Sequence, residues 1–210
     1  MARGAFITFE GGEGTGKSTH AARLAERLRA IGRDVVLTRE PGGSPGAEAI
    51  RRLLVEGPAE RWSAVSETLL LYAARRDHIE RLIAPALSAG KTVICDRFAD
   101  STRAYQGAAG GAPAALIQAL EDQTLGGLRP DLTLILDLPV AIGLGRAGAR
   151  ASGEGRFESK GANFHERLRA AFLELGAAEP ERCRLIDADA SLESVAARVW
   201  EAAAERLGVS

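Results

Sequence analysis

The chain alternates between two patterns of apolar residues. Short runs are almost continuously apolar, as in LTLIL at positions 132–136, which is typical of strands covered by helices on both faces. The longer segments between these runs carry an apolar residue every three to four positions, which is the period of an amphipathic helix. This alternation predicts βα units arranged in one mostly parallel sheet.

We predict five strands and seven helices from this pattern. The strands are expected at 5–10, 34–38, 92–96, 131–137 and 184–187. The helices are expected at 17–30, 46–55, 63–89, 113–125, 141–149, 163–176 and 192–207. Two segments fit neither period: GAAGGA at 107–112 is expected to form a turn of small residues, and RASGEGRFESKG at 150–161 a mobile surface loop.

The composition limits the size and the class of the protein. Its 210 residues are room for one domain over 1–210, and the formal net charge of −1 lacks the basic excess of a protein that clamps long nucleic acids. No apolar run is long enough to span a membrane and the first residues lack a signal-peptide pattern, so we expect a cytoplasmic protein without a membrane or nucleic-acid partner. Cys95 and Cys183 are expected to be reduced core thiols instead of a disulfide or metal ligands.

The most informative motif is a complete phosphate-binding loop. The sequence GGEGTGKS at 11–18 fits the pattern G-x-x-x-x-G-K-[ST], follows a predicted strand and opens a predicted helix. Glycines let successive backbone N–H groups turn towards a polyphosphate, and the helix N-terminus adds positive partial charge. Lys17 is expected to reach the β- and γ-phosphates, and the Ser18 hydroxyl to hold Mg²⁺. The motif predicts a nucleoside triphosphate site, but it does not distinguish a small-molecule kinase from a GTPase switch, a motor or an ATP-driven DNA machine.

Charged residues follow the second and third predicted strands. They lie in TREPGG at 38–43, CDRF at 95–98 and DSTRAYQG at 100–107. Because the carboxyl ends of parallel strands form the ligand-binding edge of an open α/β sheet, we expect these residues to converge on the phosphate loop. Asp96 is expected to join Ser18 in holding Mg²⁺, and a helix cap is the alternative role for this aspartate.

Four strings together resemble bacterial thymidylate kinases. They are FEGGEGTGKST at 9–19, TREPGG at 38–43, CDRFADSTRAYQG at 95–107 and RFESKGANFHERLRAAFLEL at 156–175, and the similarity is collinear from residue 5 to about residue 190. The resemblance implies an ATP:dTMP phosphotransferase that produces dTDP and ADP in dTTP biosynthesis, with Mg²⁺ accompanying ATP. It also implies the fold of P-loop nucleoside monophosphate kinases, a five-stranded parallel sheet flanked by helices with a lid at about 150–161, and a homodimer formed through long helices.

The resemblance also implies which residues hold dTMP. Arg97 corresponds to the arginine that grips the monophosphate and Arg39 to a supporting cation nearby, and a planar guanidinium suits phosphate oxygens. Glu13 occupies the place of an acid near the sugar 3′-hydroxyl, and Tyr105 that of an aromatic ring against the deoxyribose C2′. The implied dTMP set includes three more residues of the same string: Ser101, Thr102 near the base, and Gln106.

The stretch LLYAARR at 70–76 resembles the helix that recognises the base. In the family an aromatic residue on this helix stacks on thymine, and an arginine four residues later, on the same helix face, hydrogen-bonds the base. Two registers fit this chain: Tyr72 with Arg76 keeps the aromatic residue, whereas Leu71 with Arg75 better matches the flanking letters. An arginine only donates hydrogen bonds, so it pairs with thymine O4 and not with the 4-amino group of cytosine.

Arginines in and before the lid are the expected catalytic cations. Some thymidylate kinases carry an arginine inside the phosphate loop, where this chain has Gly14, whereas bacterial members carry arginines in the lid. Arg150 and Arg156 are therefore expected to stabilise charge on the transferred phosphoryl group. Arg146, on the helix before the lid, could instead border the adenine. The implied catalytic set is Lys17, Arg97, Glu13, Arg150 and Arg156. The implied ATP set is Gly11, Gly12, Glu13, Gly14, Thr15, Gly16, Lys17, Ser18, Thr19 and Arg146.

Two other functions compete with this interpretation. The nearer one is another nucleoside monophosphate or deoxynucleoside kinase. The other, from a different class, is a nucleotide-dependent switch protein, which would have no acceptor site. The DRF string at 96–98 and the TREPGG string argue against a switch protein.

Overall fold

The computed structural model describes residues 3–148, 156–157 and 160–209. Within these residues the strands are β1 (Phe6–Glu10), β2 (Val35–Arg39), β3 (Thr92–Asp96), β4 (Leu132–Asp137) and β5 (Cys183–Asp187). They form one parallel sheet in the order β2-β3-β1-β4-β5. Every predicted strand is present, with ends that differ by at most one residue, so the five-stranded parallel sheet is confirmed.

The helices also follow the prediction closely. In the described part of the chain they are α1 (Lys17–Ala30), α2 (Pro45–Val55), α3 (Ala64–His78), α4 (Ala84–Ser88), α5 (Ala99–Thr102), α6 (Ala114–Leu125), α7 (Val140–Gly148), α8 (Ala162–Ala178) and α9 (Leu192–Leu207). A short 3-10 turn, Ala59–Arg61, precedes α3. The predicted helix 63–89 is divided by a π-helical turn, Ile79–Ile83, just before Pro85. Proline has no N–H and cannot continue the regular hydrogen bonding.

The sequence pattern missed the helical segment that follows β3. A π-helical turn, Arg103–Ala109, continues α5, so the predicted small-residue turn at 107–112 is wrong for 107–109. The segment lacks a helical period because polar residues such as Gln106 are buried, while Tyr105 packs edge-on against Phe164 and Phe172. Tertiary contacts, more than local propensity, decide the conformation here.

Helices cover both faces of the sheet. Side chains alternate along β1, so Ile7 and Phe9 belong to a core shared with α1 and α9, whereas Phe6 belongs to a core on the opposite face with Ile79 and Ile83. This two-sided burial explains why the strands are continuously apolar. No helix in the described residues has the length and hydropathy needed to cross a bilayer.

Both cysteines lie in apolar cores, Cys95 with Phe6 and Cys183 with Phe164 and Phe172. Cys95 and Cys183 are buried and unpaired, which confirms the predicted core thiols. Burial raises the pKa of Cys95 well above its usual value and that of Cys183 to about 11, so both stay protonated at neutral pH.

The strand order places the ends of three strands side by side. β1 lies between β3 and β4, and the register pairs Phe9 of β1 with Asp96 of β3, which in turn pairs with Arg39 of β2. The residues that follow β1, β2 and β3 therefore meet at the carboxyl edge of the sheet, where open α/β sheets bind ligands.

Candidate active site

The phosphate loop follows β1 in a conformation that requires glycine. Gly11, Gly14 and Gly16 have φ of 132°, 69° and 89°. A Cβ atom on Gly14 would lie 2.0 Å from the carbonyl oxygen of Gly143 on α7. The backbone therefore leaves no room for a side chain at this position, which fits the absence of an arginine from the loop.

Lys17 begins α1 and turns its amine back over the loop. Its Nζ donates to the carbonyl oxygen of Gly12 at 2.6 Å and to Thr15 Oγ1 at 3.3 Å. Burial lowers the pKa of Lys17 to about 8, and the nearby charge of Arg97 acts in the same direction. The next two residues of α1, Ser18 and Thr19, are exposed.

Ser18 and Asp96 form a pair of oxygen groups that fits Mg²⁺. The Ser18 hydroxyl donates to Asp96 Oδ2, and Asp96 Oδ1 is buried with no hydrogen-bond partner among the described residues. Within those residues no group of three or more His, Cys, Asp or Glu side chains could hold a metal. Mg²⁺ suits such a sparse pair because it takes most of its ligands from water and phosphate oxygens.

A cleft of about 350 Å³ extends from the phosphate loop to α3, which is the size of a small-molecule site. It collects most of the predicted site residues: Glu13, Gly14, Gly16, Lys17, Ser18, Arg39, Leu71, Arg75, Asp96, Arg97, Ser101, Thr102, Tyr105 and Gln106. It also contains residues that the sequence analysis did not select: Glu40, Pro41, Arg51, Val55, Phe98 and Phe157.

Arg97 holds the centre of the cleft in a left-handed backbone conformation, with φ of 71°. Its Nη1 donates to the Gly11 carbonyl at 3.0 Å and to Ser101 Oγ at 3.2 Å, and its Nη2 to Glu13 Oε1 at 3.2 Å. The guanidinium carbon lies 4.8 Å from the centre of the Tyr105 ring. These contacts fix a cation beside the phosphate loop.

Glu13 is the acid of this cluster. The Tyr105 hydroxyl donates to Glu13 Oε1 at 2.6 Å. Burial raises the pKa of Glu13, but the charges of Arg97 and Lys17 and this hydrogen bond outweigh it and lower the pKa to about 2. Glu13 is therefore ionised at neutral pH.

Glu10, at the end of β1, supports the turn that carries Arg97. Its Oε1 accepts hydrogen bonds from the backbone N–H groups of Phe98 at 2.8 Å and Ser101 at 3.3 Å, and its Oε2 accepts one from Ser101 Oγ at 2.5 Å. Burial, together with the charge of Asp100, raises its pKa to about 7. Glu10 was not selected by the sequence analysis. The signal that could have found it is its place at the end of a continuously apolar strand, because a buried carboxylate needs hydrogen-bond partners.

One of the two registers of the base helix lies along the cleft. Leu71 and Arg75 line the cleft. Arg75 is buried, and its Nε donates to Glu40 Oε2 at 2.7 Å, while its Nη2 donates to the Phe98 carbonyl at 3.1 Å and Thr102 Oγ1 at 3.0 Å. Its Nη1 has no hydrogen-bond partner among the described residues. A buried guanidinium thus keeps a free donor beside the cleft.

Tyr72 and Arg76, the residues of the alternative register, lie outside the cleft. The Tyr72 hydroxyl donates to Glu121 of α6 at 3.1 Å. Arg76 pairs with Glu80 and donates to the Thr124 carbonyl at 3.0 Å. Adjacent helix residues point about 100° apart, so only one register can face the site. Of the two registers, Leu71 with Arg75 is the one that lines the cleft, and its contact with the base stays a prediction.

Arg39 lies at the entrance of the cleft and is partly exposed. Its Nη1 and Nη2 donate to the two carboxylate oxygens of Glu48 at 3.0 and 3.2 Å. Arg51, from the same side, donates to the Pro41 carbonyl at 2.6 Å. Arg39 thus lies on the rim of the cleft, and its role as a supporting cation for a phosphate stays a prediction.

Of the arginines expected in or before the lid, the structure describes Arg146 and Arg156. Arg150 lies outside the described residues. Arg146 is exposed on α7 and donates to the Ala188 carbonyl after β5 at 3.5 Å, a place at the side of the loop. Arg156 is buried, and its described partners lie on α2, on α3 and in the connection between them. These contacts hold Arg156 against α2 and α3, and its expected role at the phosphates stays a prediction.

Comparisons with known proteins agree with this geometry. The protein-family model for thymidylate kinase matches residues 9–199. Thymidylate kinase from Caulobacter vibrioides is 65% identical and covers 100% of both chains, and thymidylate kinase from Bradyrhizobium sp. (strain ORS 278) is 55% identical, covering 98% of this chain and 92% of its own. The crystal structure of thymidylate kinase from Ehrlichia chaffeensis is similar at a TM-score of 0.76 and 36% identity, covering 95% of this chain and 98% of that chain.

These matches cover the sheet, the phosphate loop and the helices around the cleft, and not only the nucleotide-binding motif. The family expected from the sequence strings is thereby confirmed. This chain is a member of the thymidylate kinase family.

Proposed function

We propose that this chain transfers the γ-phosphoryl group of ATP to dTMP, giving dTDP and ADP. The observation that carries the proposal is that one cleft contains both a phosphate loop and a second set of cations, centred on Arg97 and Arg75. A nucleotide switch needs only the first of these. A phosphotransferase needs both, because donor and acceptor must be held in line.

The phosphate loop is the proposed donor site. Backbone N–H groups and the N-terminus of α1 would bind the β- and γ-phosphates, with Lys17 as the main cation. Ser18 and Asp96 would hold Mg²⁺, which neutralises charge on the β- and γ-phosphate oxygens when it is bound. Arg146, which donates to the Ala188 carbonyl beyond β5, would border the adenine.

Arg97 is the proposed binding group for the acceptor phosphate. Its guanidinium is fixed by Gly11, Ser101 and Glu13, so little side-chain entropy is lost when it meets an anion. Glu13 would lie beside the sugar 3′-hydroxyl, and the Tyr105 ring beside C2′. Arg39 would add charge at the entrance.

Base recognition is assigned to Leu71 and Arg75. Nη1 of Arg75 lacks a partner, and a thymine O4 would supply an acceptor there. The 4-amino group of cytosine would bring a donor against a donor. Leu71 provides an apolar contact where an aromatic side chain is usual, so packing replaces stacking on this face of the base.

The chemistry requires positioning and charge stabilisation and no covalent intermediate. Lys17 and Arg97 would place positive charge on the donor and acceptor phosphates. Arg150, outside the described residues, is proposed as the lid cation on the family resemblance alone. The reaction also requires that water be excluded, because water otherwise competes with dTMP for the phosphoryl group.

We also propose that the protein is a single cytoplasmic domain over 1–210 that forms a homodimer. Val65 and Leu69 of α3 are 41% and 48% exposed, and Ala73 extends the same helix face. This apolar stripe supports a dimer formed through long helices, because such a face is stabilised by burial against a copy of itself.

A coupled assay of ADP release across dTMP, dUMP, dCMP, AMP and GMP tests the proposed activity. We expect dTMP to be preferred and dUMP to be about 10–200-fold weaker, since one methyl group in an apolar pocket contributes about 1–3 kcal/mol. Lys17→Ala is the control for contaminating kinases. Comparable turnover of AMP or GMP would favour another nucleoside monophosphate kinase, and ADP release that ignores the monophosphate would favour a switch protein.

A further inference from the structure

Arg156 is buried although its neighbours in sequence were expected to form a surface loop. Its Nε donates to the Pro58 carbonyl at 3.1 Å and its Nη1 to the Leu54 carbonyl at 3.0 Å. Leu54 lies in the last turn of α2, where carbonyl groups have no partner within the helix. Arg156 thus brings a cation to the negative end of α2.

Arg156 also forms a buried ion pair with Glu67 on α3. Its Nη1 donates to Glu67 Oε2, and both side chains are almost fully buried. The other carboxylate oxygen, Oε1, accepts a hydrogen bond from Gln106 Nε2 at 2.7 Å. A continuous chain of contacts therefore runs from Arg156 through Glu67 to Gln106, which lines the cleft.

The next residue, Phe157, contacts the same side of the cleft. Its ring meets Tyr105 edge-on, with the ring centres 5.7 Å apart. Tyr105 and Gln106 are adjacent in the π-helical turn. Phe157 therefore contacts the first of them directly, and Arg156 reaches the second through Glu67. Val55, which follows the Leu54 carbonyl that Arg156 binds, also lines the cleft.

These described contacts connect Arg156 to the part of the cleft between Arg97 and α3, which we call the acceptor half. We propose that Arg156 is a positioning residue for dTMP, which acts through Glu67 and Gln106 and does not touch the transferred phosphoryl group. The inference rests on the proposed function, because it requires dTMP to occupy this half of the cleft. It replaces the catalytic role expected from the sequence.

Steady-state kinetics with each substrate varied separately distinguish the two roles. For Arg156→Met we expect the KM for dTMP to rise about tenfold or more, with the KM for ATP and kcat at saturation within about twofold of wild type. Glu67→Gln should change the same parameter in the same direction. Arg156→Lys should recover part of the dTMP affinity, because it keeps the charge.

Removing one member of a buried pair leaves the other charge uncompensated, so either single variant could fold poorly. The double variant Arg156→Met with Glu67→Gln contains no such charge, and we expect its KM for dTMP to be raised no further than that of Arg156→Met. Arg29→Met is a matched control, since Arg29 donates to the Val35 carbonyl at 2.9 Å away from the cleft. Loss of folded protein alone lowers the apparent kcat and leaves KM unchanged.

A fall in kcat of tenfold or more with an unchanged KM for dTMP would overturn the inference and restore a catalytic role. Unchanged kinetics in the double variant would overturn it too. Failure of the wild-type protein to phosphorylate dTMP would instead refute the proposed function, so the two failures are distinguishable.

Discussion

Replacing Glu13 with glutamine is expected to lower the free energy of unfolding of the ligand-free protein by an amount that depends on pH. Burial raises the pKa of Glu13, yet Arg97, Lys17 and Tyr105 lower it from 4.5 to about 2. This difference of about 2.5 corresponds to ~3 kcal/mol of unfolding free energy. Because the pKa is lower in the folded state, the stabilisation is present above about pH 4.5 and is lost as the pH falls through about 2.

Urea unfolding of wild type and Glu13→Gln at pH 7 and pH 3.5 measures this contribution. The linkage relation gives a difference in unfolding free energy of ~3 kcal/mol at pH 7 and ~2 kcal/mol at pH 3.5. Glu26→Gln, which changes an exposed glutamate on α1, is the control and should lie within about 0.5 kcal/mol of wild type. Equal stability of Glu13→Gln and wild type at pH 7, or a difference that grows as the pH falls, would refute the reasoning.

Three further predictions concern the substrates. Arg75→Met should lower the ratio of kcat/KM for dTMP to kcat/KM for dCMP, because it removes the donor that meets O4 of thymine. Arg76→Met is the control and should leave this ratio unchanged. Equal effects of the two substitutions would show that Arg75 does not recognise the base. Tyr105→Ala should narrow the preference for dTMP over ribothymidine monophosphate, whose 2′-hydroxyl loses water against the ring at a cost of about 1–3 kcal/mol. Tyr105→Phe keeps the ring and should preserve the ratio, and a ratio unchanged by Tyr105→Ala would exclude a sugar gate. Lys17→Ala and Arg97→Ala should both abolish useful turnover. Calorimetry should show that Lys17→Ala loses ATP binding and that Arg97→Ala loses dTMP binding. Unchanged dTMP binding by Arg97→Ala would contradict the assignment of Arg97 to the acceptor phosphate.

The fold could be predicted where local signals agree with the tertiary structure. The strands and most helices follow from apolar periodicity, and the loop at 11–18 follows from its glycines and Lys17. The helical segment 99–109 could not be predicted, because its buried residues include Gln106 and Ser101, whose partners are distant in sequence. Periodicity detects apolar burial and does not detect satisfied polar burial.

Sequence reasoning predicted which residues lie in the site better than it predicted which residues they contact. Arg97, Tyr105 and Asp96 lie in the cleft because strand order brings the ends of β1 and β3 together. The register of the base helix depends on which face of α3 packs against α6, and neither Arg75 nor Arg76 carries that information locally. The contacts of Arg156 could not be predicted for a related reason: its position in the lid string indicates proximity to ATP, whereas its side chain hydrogen-bonds the end of α2 and Glu67.

The destination of the phosphoryl group tests the central claim most directly. Purified protein is incubated with γ-³²P-labelled ATP, Mg²⁺ and dTMP, and the nucleotides are separated by chromatography, with Lys17→Ala as the inactive control. The account predicts that the label appears in dTDP, in a one-to-one ratio with the ADP formed, and only when dTMP is present. Label recovered as inorganic phosphate, or ADP formed equally with and without dTMP, would contradict it.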